Sequence, residues 1–432
     1  MSATPPSPAA GGGTVRTRTR FGGWRIVAYA TVVVVMTAPG QTAGVSPFID
    51  PVMAELGLSR SAVSTAYLIG TLTGAAAMPL VGRLVDRYGS RAAIVVIGAV
   101  FGGVLIGLSL VSSIVGLTAG FIGIRLAGQG ALGLAAVTVV AHWFDRRRGT
   151  ALGIVSAFGS AGISLAPILI ERLIAFHGWR TVWLIEGLAV WAIVIPIALL
   201  AIRNRPSDVG QQVDGRPASA ADHQPAAGAT RAVALRTPYF WVLAAGVSTS
   251  GLLGTAVVFH QISLLGARGL TPAEAASVFI PMTTAGLAAT LLVGYLIDRL
   301  HRPRLLIVTS MGLLTLGLAW ATIATPGWSA WAYGALMGAS TNAIRAAEAA
   351  LTPHMFGTDH LASIRGVMTA LSVASTAAGP LIFAVVHDTT GSYNAVLLAS
   401  LALPLAVATA ALTTRLPTTA PRVTQHRGGQ SR

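Results

Sequence analysis

The 432-residue chain has no cysteine, and every one of its 29 basic residues is arginine. Without cysteine there is no disulfide framework, no thiol nucleophile and no thiolate metal site. The uniform use of arginine reads as compositional bias rather than mechanism. Charge is scarce as well: 10% of the residues are charged, against roughly a quarter in a typical soluble domain. What fills the space is apolar, 53% of the chain, with a mean hydropathy of +0.71. This is the composition of a membrane protein. Walker-type loops, metal-ligand spacings and nucleophile elbows are also missing, so neither an enzyme nor ATP-driven transport is supported. The net charge of +15 does not point to nucleic acid, because the arginines are scattered between apolar segments instead of gathered on one surface. The expected partners are a lipid bilayer and a small-molecule substrate. No cofactor, metal or nucleic acid is expected, and the chain is expected to act as a monomer.

Crossing a hydrocarbon core of roughly 30 Å takes about 20 apolar residues as a helix. Such segments occur at about 25–47, 61–83, 92–113, 116–141, 150–175 and 180–202, and again at 239–265, 274–297, 304–325, 328–352, 364–387 and 393–414. The expected fold is therefore an all-α membrane protein of twelve transmembrane helices in two six-helix halves. Residues 203–238 between the halves have the Pro, Gly, Ser, Asp and Gln content of a cytoplasmic linker. The Pro/Gly/Ala-rich residues 1–24 and residues 415–432 read as cytoplasmic tails, and the first apolar run is too long for a signal peptide. With the N-terminus inside, 23 of the 29 arginines fall on the cytoplasmic side and only Arg60, Arg172, Arg180 and Arg268 outside, leaving Arg125 and Arg345 within spans. Both termini are thus expected in the cytoplasm, and the site of residence is expected to be the cell membrane.

The halves echo one another. "GRLVDRYGSR" after the second span and "GYLIDRLHRPR" after the eighth place G-x-L-x-D-R at the same point of each half, with Gly82 and Gly294 212 residues apart. A duplicated six-helix unit explains the echo. Here the chain resembles the major facilitator superfamily, whose loop between helices 2 and 3 is matched by Gly82, Leu84, Asp86, Arg87, Gly89 and Arg91, with Ser90 the clear departure. The resemblance implies a cytoplasmic gate made by Gly82, Asp86, Arg87, Gly89, Arg91, Gly294, Asp298 and Arg299. "RLAGQGALG" resembles the fourth-helix pattern R-x-x-x-G-x-G and makes Arg125 its arginine. "GWRIV", "WFDRRRGTALG", "FGTDHLASIRG" and "AGPLIFAVVHDTTGSY" look like the monocarboxylate-transporter and oxalate:formate-antiporter branch. That likeness implies movement of small organic acids and coupling to protons. Apart from Glu274 and Arg365 in their first turns, spans 8 and 11 carry no charge before Asp298 and Asp388, so the branch's charged residues in those helices have no counterpart. "GIVSAFGSAGISLAPIL" in span 5 departs from the helix-5 motif of the drug-efflux branch, which leaves proton-driven efflux as the alternative.

The tenth span contains "STNAIRAAEAAL". On a helical wheel Thr341, Asn342, Arg345, Glu348 and Thr352 share one polar stripe. A lone arginine at mid-span costs about 2.5 to 3.5 kcal/mol to insert, so it needs a partner. Either Glu348, one turn away, neutralises Arg345, or Arg345 receives a substrate carboxylate and Glu348 exchanges the coupled proton. Arg125, with Gln129 one turn on, either serves the site or packs against a carbonyl. In "APGQTAGVSP" Pro39 and Gly40 can open the first span, exposing Gln41 and Thr42; the repeat offset puts the matching soft spot at Gly251. Tyr67 joins Ser64 and Thr71 on one face of span 2. His260 is a candidate substrate contact or a structural histidine. Ser156, Ser160 and Ser164, mixed with Gly153, Gly159 and Gly162, read as helix packing rather than ligand contact. Glu186, inside span 6, is expected to pair with Arg180 near the outer surface and is a secondary candidate for the coupled proton.

Overall fold

The computed structural model describes residues 21–144, 147–215, 229–299, 304–356 and 361–414. Helices account for all the regular structure among them. The first, α1 (Gly23–Val35), stops short of Pro39, where the ring removes a donor and crowds the preceding turn. Over residues 36–41 the helix gives way to one 3-10 turn, Ala38–Gly40, and an extended Gln41 with φ −90° and ψ 156°. Helix resumes at Thr42–Val45 and Ile49–Leu56 and ends on Gly57, whose φ of 63° suits a residue without Cβ. Ser59 caps α2 (Arg60–Tyr88) by accepting from the Ala62 N–H. Gly89, with φ 81°, turns the chain at once into α3 (Ser90–Ser109). Ser113 caps α4 (Ile114–Trp143). The following helical stretch bends at Gly178, φ 76°, and so divides into α5 (148–177) and α6 (179–201).

The second half holds α7 (Pro238–Phe259), α8 (Phe279–Arg299), α9 (Arg304–Ala321), α10 (Trp328–Phe356), α11 (Leu361–Thr390) and α12 (Asn394–Thr413). Among the described residues, eight helical stretches are long and apolar enough to cross a membrane, one of them being α5 and α6 together as Thr150–Ala201. The others fall short for identifiable reasons. Proline cuts α1 to 13 residues, while α2 and α10, each of 29 residues, are diluted by polar and charged side chains.

Buried apolar side chains gather in two clusters, one drawn from residues 26–202 with Phe259 and the other from residues 234–411. Between them α2 packs against α11, and α5 against α8. The stretch read as a linker is tied down at both described ends. Gln211 Oε1 accepts from the Gly22 N–H at 2.9 Å, Trp143 Nε1 donates to the Arg203 carbonyl at 2.9 Å, and the Ala229 N–H reaches the Phe356 carbonyl at 2.7 Å. Residues 216–228 lie outside the described part. The soft spot expected at Gly251 is absent. There α7 runs on unbroken to Phe259, and a Cβ on Gly251 would meet Thr376 and Ser372 of α11 at 3.1 and 3.2 Å. Gly251 is thus a close-approach residue, and the backbone leaves α7 at His260 instead.

Candidate functional site

The site grows from the break after α1. Unwinding leaves the Gly40 carbonyl without a helical acceptor role, and in an apolar interior such a group needs a donor. Arg125 supplies it: Nη1 donates to Gly40 O at 3.1 Å, Nε donates to Thr71 Oγ1 at 3.0 Å, and the guanidinium lies 4.7 Å from the Tyr67 ring centre. Only 2% of Arg125 is exposed. The helix that carries it widens to π geometry over Arg125–Leu132, a distortion frequent at functional sites. Close approach is what the glycines allow here, since a Cβ on Gly40 would lie 2.5 Å from Ile124 O and 2.8 Å from Gly128 Cα.

Beyond this clamp, Gln41 and Thr42 reach a cavity of about 310 Å³ between the halves. Gln41 Nε2 donates to Thr37 Oγ1 at 3.1 Å, and Thr42 Oγ1 is 2.6 Å from the Tyr67 hydroxyl. Ser160 and Ser164 of α5 line the same wall, and Thr341, Asn342 and Arg345 of α10 line the opposite one with Thr283, Phe279, Met282 and Leu287 of α8. Asn342 Nδ2 donates back to Gly338 O at 3.0 Å. Arg345 is exposed to the cavity and makes no ion pair among the described residues.

Glu348 does not neutralise it. Its carboxylate, 13% exposed, accepts from Arg365 of α11 in a bidentate pair, Nε–Oε1 2.9 Å and Nη2–Oε2 3.1 Å. The polar stripe on α10 therefore splits: Thr341, Asn342 and Arg345 face the cavity, while Glu348 and the fully buried Thr352 turn away from it. Tyr67, Arg125 and His260 also lie off the cavity wall. Tyr67 is buried with its ring 4.5 Å from that of Phe259. His260 is buried beside α11, its Nε2 2.9 Å from the Pro380 carbonyl and its ring 5.7 Å from Tyr393.

One end of the cavity is closed. The Phe259 and Tyr67 rings meet across the halves, Ser46 Oγ donates to Phe259 O at 3.1 Å, and Ser61 N donates to Asp388 Oδ2 at 2.9 Å. The Asp388 carboxylate thereby sits at the N-terminus of α2, where the helix dipole favours an anion. Beside it Arg60 pairs with Asp50 at 2.8 Å. At the other end, which bears the arginine-rich loops, a Cβ placed on Gly82, Gly153, Gly294 or Gly366 would meet no atom of the described residues within 4 Å.

Arg91 donates from its backbone to Asn204 Oδ1 at 2.8 Å and from Nε to the Ala198 carbonyl at 3.2 Å, all within its own half. Arg87 lies over the Tyr88 ring. The side chains of Asp86, Asp298 and Arg299 lie outside the described part.

Two further sequence expectations need correction. Ser160 and Ser164 line the cavity, whereas the packing role falls to Gly159 and Gly162, whose Cβ positions would meet Val34 and Val35 of α1. Arg180 pairs with Glu55 at 2.8 Å rather than with Glu186, and that guanidinium, with Trp179 Nε1, holds the Glu55 carboxyl below the usual carboxylate range. Glu186 is left with a buried Oε2 that has no hydrogen-bond partner. Sequence reading gives Arg365 no partner, because it stands at the margin of the span 364–387 and a contact between α10 and α11 decides its pairing. Thr71 and the Gly40 carbonyl carried no signal, since contact across helices decides both.

Comparison with known proteins follows this architecture. The family model described as the Major Facilitator Superfamily matches residues 31–380. The oxalate:formate antiporter of Oxalobacter formigenes is 30% identical over 201 residues, 45% of this chain and 44% of that one. The fujikurins efflux protein of Gibberella fujikuroi is 33% identical over 155 residues, 34% of this chain and 32% of that one. The matched segments thus span less than half the length of either relative. Among solved structures, a bacterial homologue of the human lysosomal transporter Spinster, inward-facing and unoccupied, superposes with a TM-score of 0.67 at 15% identity, covering 91% of this chain and 95% of that one. The two share a fold.

Proposed function

The chain belongs to the Major Facilitator Superfamily, and from that premise we propose that it is a secondary transporter of small organic anions, monocarboxylates foremost, working by alternating access. One observation carries the reading: the Arg345 guanidinium stands on the cavity wall without an ion-pair partner, beside Asn342 and Thr341 and opposite Gln41 and Thr42. A bound carboxylate would relieve that exposed charge through two charge-assisted hydrogen bonds. In this reading the chain crosses the cell membrane twelve times, in bundles 25–202 and 239–414, with both termini and the arginine-rich loops cytoplasmic. The cavity is then closed to the outside and opens inward, and the repeated loops from Gly82 and Gly294 meet when the cycle reverses.

Glu348 is the proton carrier of this scheme. As a carboxylate it is held by Arg365; a proton dissolves that pair and removes the one negative charge within a helical turn of Arg345, which favours arrival of an anion. Proton and anion then cross together. A second reading, efflux of amphipathic metabolites, draws on the apolar wall of Phe279, Met282 and Leu287 and on the matched efflux protein.

Proteoliposomes loaded with protein and offered a panel of monocarboxylates and dicarboxylates, with and without a pH gradient, separate the two. Gradient-dependent carboxylate uptake is expected, with Arg345→Gln raising KM about tenfold or more, the loss of a charge-assisted pair. Uptake of no carboxylate, alongside gradient-driven expulsion of a cationic dye, favours efflux and rejects the anion reading.

A further inference from the structure

Three charges meet at the end of α10 that the cavity leaves open. Arg345 and Glu348 are three residues apart on α10, a spacing at which Cβ atoms stand about 5 to 6 Å apart. Yet both carboxylate oxygens of Glu348 are taken by Arg365 from α11, at 2.9 and 3.1 Å. The carboxylate is the desolvated member of the pair, 13% exposed against 44% for Arg365. A carboxylate so buried needs a cation, and breaking its pair leaves it seeking another. Arg345 is the cation within one helical turn.

We propose that Arg365 sets the anion selectivity of the cavity by holding Glu348 away from Arg345, an inference that rests on the assignment of Arg345 to the substrate. Arg365 is a positioning residue: it lies off the cavity wall and acts through Glu348. Its removal frees Glu348 to close onto Arg345, and the cavity loses the uncompensated charge that receives an anion.

The absence of cysteine makes the test direct. In full-length protein in nanodiscs, Asn342→Cys places a single thiol on the cavity wall one turn from Arg345. The ratio of its modification rates by a sulfonate-bearing and a trimethylammonium-bearing methanethiosulfonate reports the local potential and needs no transported substrate. Arg365→Gln is expected to lower the anionic-to-cationic ratio about fivefold or more when Glu348 is present, as a new opposite charge near a partly solvated site requires. In a Glu348→Gln background the same substitution is expected to change it less than twofold, and Arg365→Lys to keep the ratio near its starting value. Equal changes in both backgrounds, or a Lys variant that falls as far as Gln, overturn the proposal. A defect from lost bracing of α10 on α11 would persist in the Glu348→Gln background, so the cycle separates it. Unaltered carboxylate uptake in Arg345→Gln removes the assignment of Arg345 to the substrate by itself, whatever the ratio reads.

Discussion

Two arginines in this chain answer the same physical problem in opposite ways. Arg125 is sealed, and its donors are spent on Thr71 and on a carbonyl released by the unwound first helix. Arg345 is left facing the cavity without an ion pair. The first is a structural clamp, the second a free cation. While the Thr71 hydroxyl keeps its bond to the Tyr67 carbonyl, Arg125→Gln strands the Gly40 carbonyl, at a cost of about 1 to 3 kcal/mol for a buried group left unpaired. Its melting temperature in detergent is expected to fall by several degrees, whereas Arg345→Gln, which removes no such contact, is expected to melt within a degree or two of the parent. Equal melting of the two variants would contradict the clamp.

At the scale of elements, the break between α1 and the helix that resumes at Thr42 is what makes the site. Pro39 and Gly40 announced it in the sequence, because one removes a donor and the other tolerates any backbone conformation. How close α4 comes was not announced. A Cβ on Gly40 would stand 2.5 Å from Ile124 O, so Gly40→Ala must push α1 and α4 apart or distort the π turn. Overpacking of that kind costs about 1 to 3 kcal/mol. Gly82→Ala, in open space here, is expected to leave this conformation's stability unchanged. Thermal unfolding of both variants in detergent checks the contrast, which fails if Gly82→Ala is the more damaging. The second half carries no matching proline, and α7 accordingly runs straight past Gly251.

For the whole molecule, the balance between conformations rests on few groups. Ser61 and Asp388 join the halves at the closed end through one charge-assisted hydrogen bond, next to the Ser46–Phe259 contact. Asp388→Ala removes it. A bond of this class is worth about 1.5 to 3 kcal/mol, so the population open at that end is expected to rise about tenfold or more, read as a longer distance between spin labels on α2 and α11 in a chain with no native cysteine. An unchanged distance distribution would show that the aromatic contact of Tyr67 with Phe259 suffices for closure.

Much of this protein was legible in its residues. Composition pointed to a bilayer as the solvent, the spacing of apolar runs announced helices, and the recurrence of G-x-L-x-D-R suggested two related halves; each signal is local, carried by residues adjacent in the chain. The polar stripe of α10 was legible too, as a stripe. What its members do was not, because a helical wheel fixes which side chains share a face but not which neighbouring helix that face meets. Only the tertiary structure decided that Glu348 belongs to Arg365, that Arg125 clamps a carbonyl from another helix, and that the serines of α5, rather than Tyr67 or His260, line the cavity. Those pairings join residues 17 to 85 positions apart, and packing, not sequence neighbourhood, chooses between them.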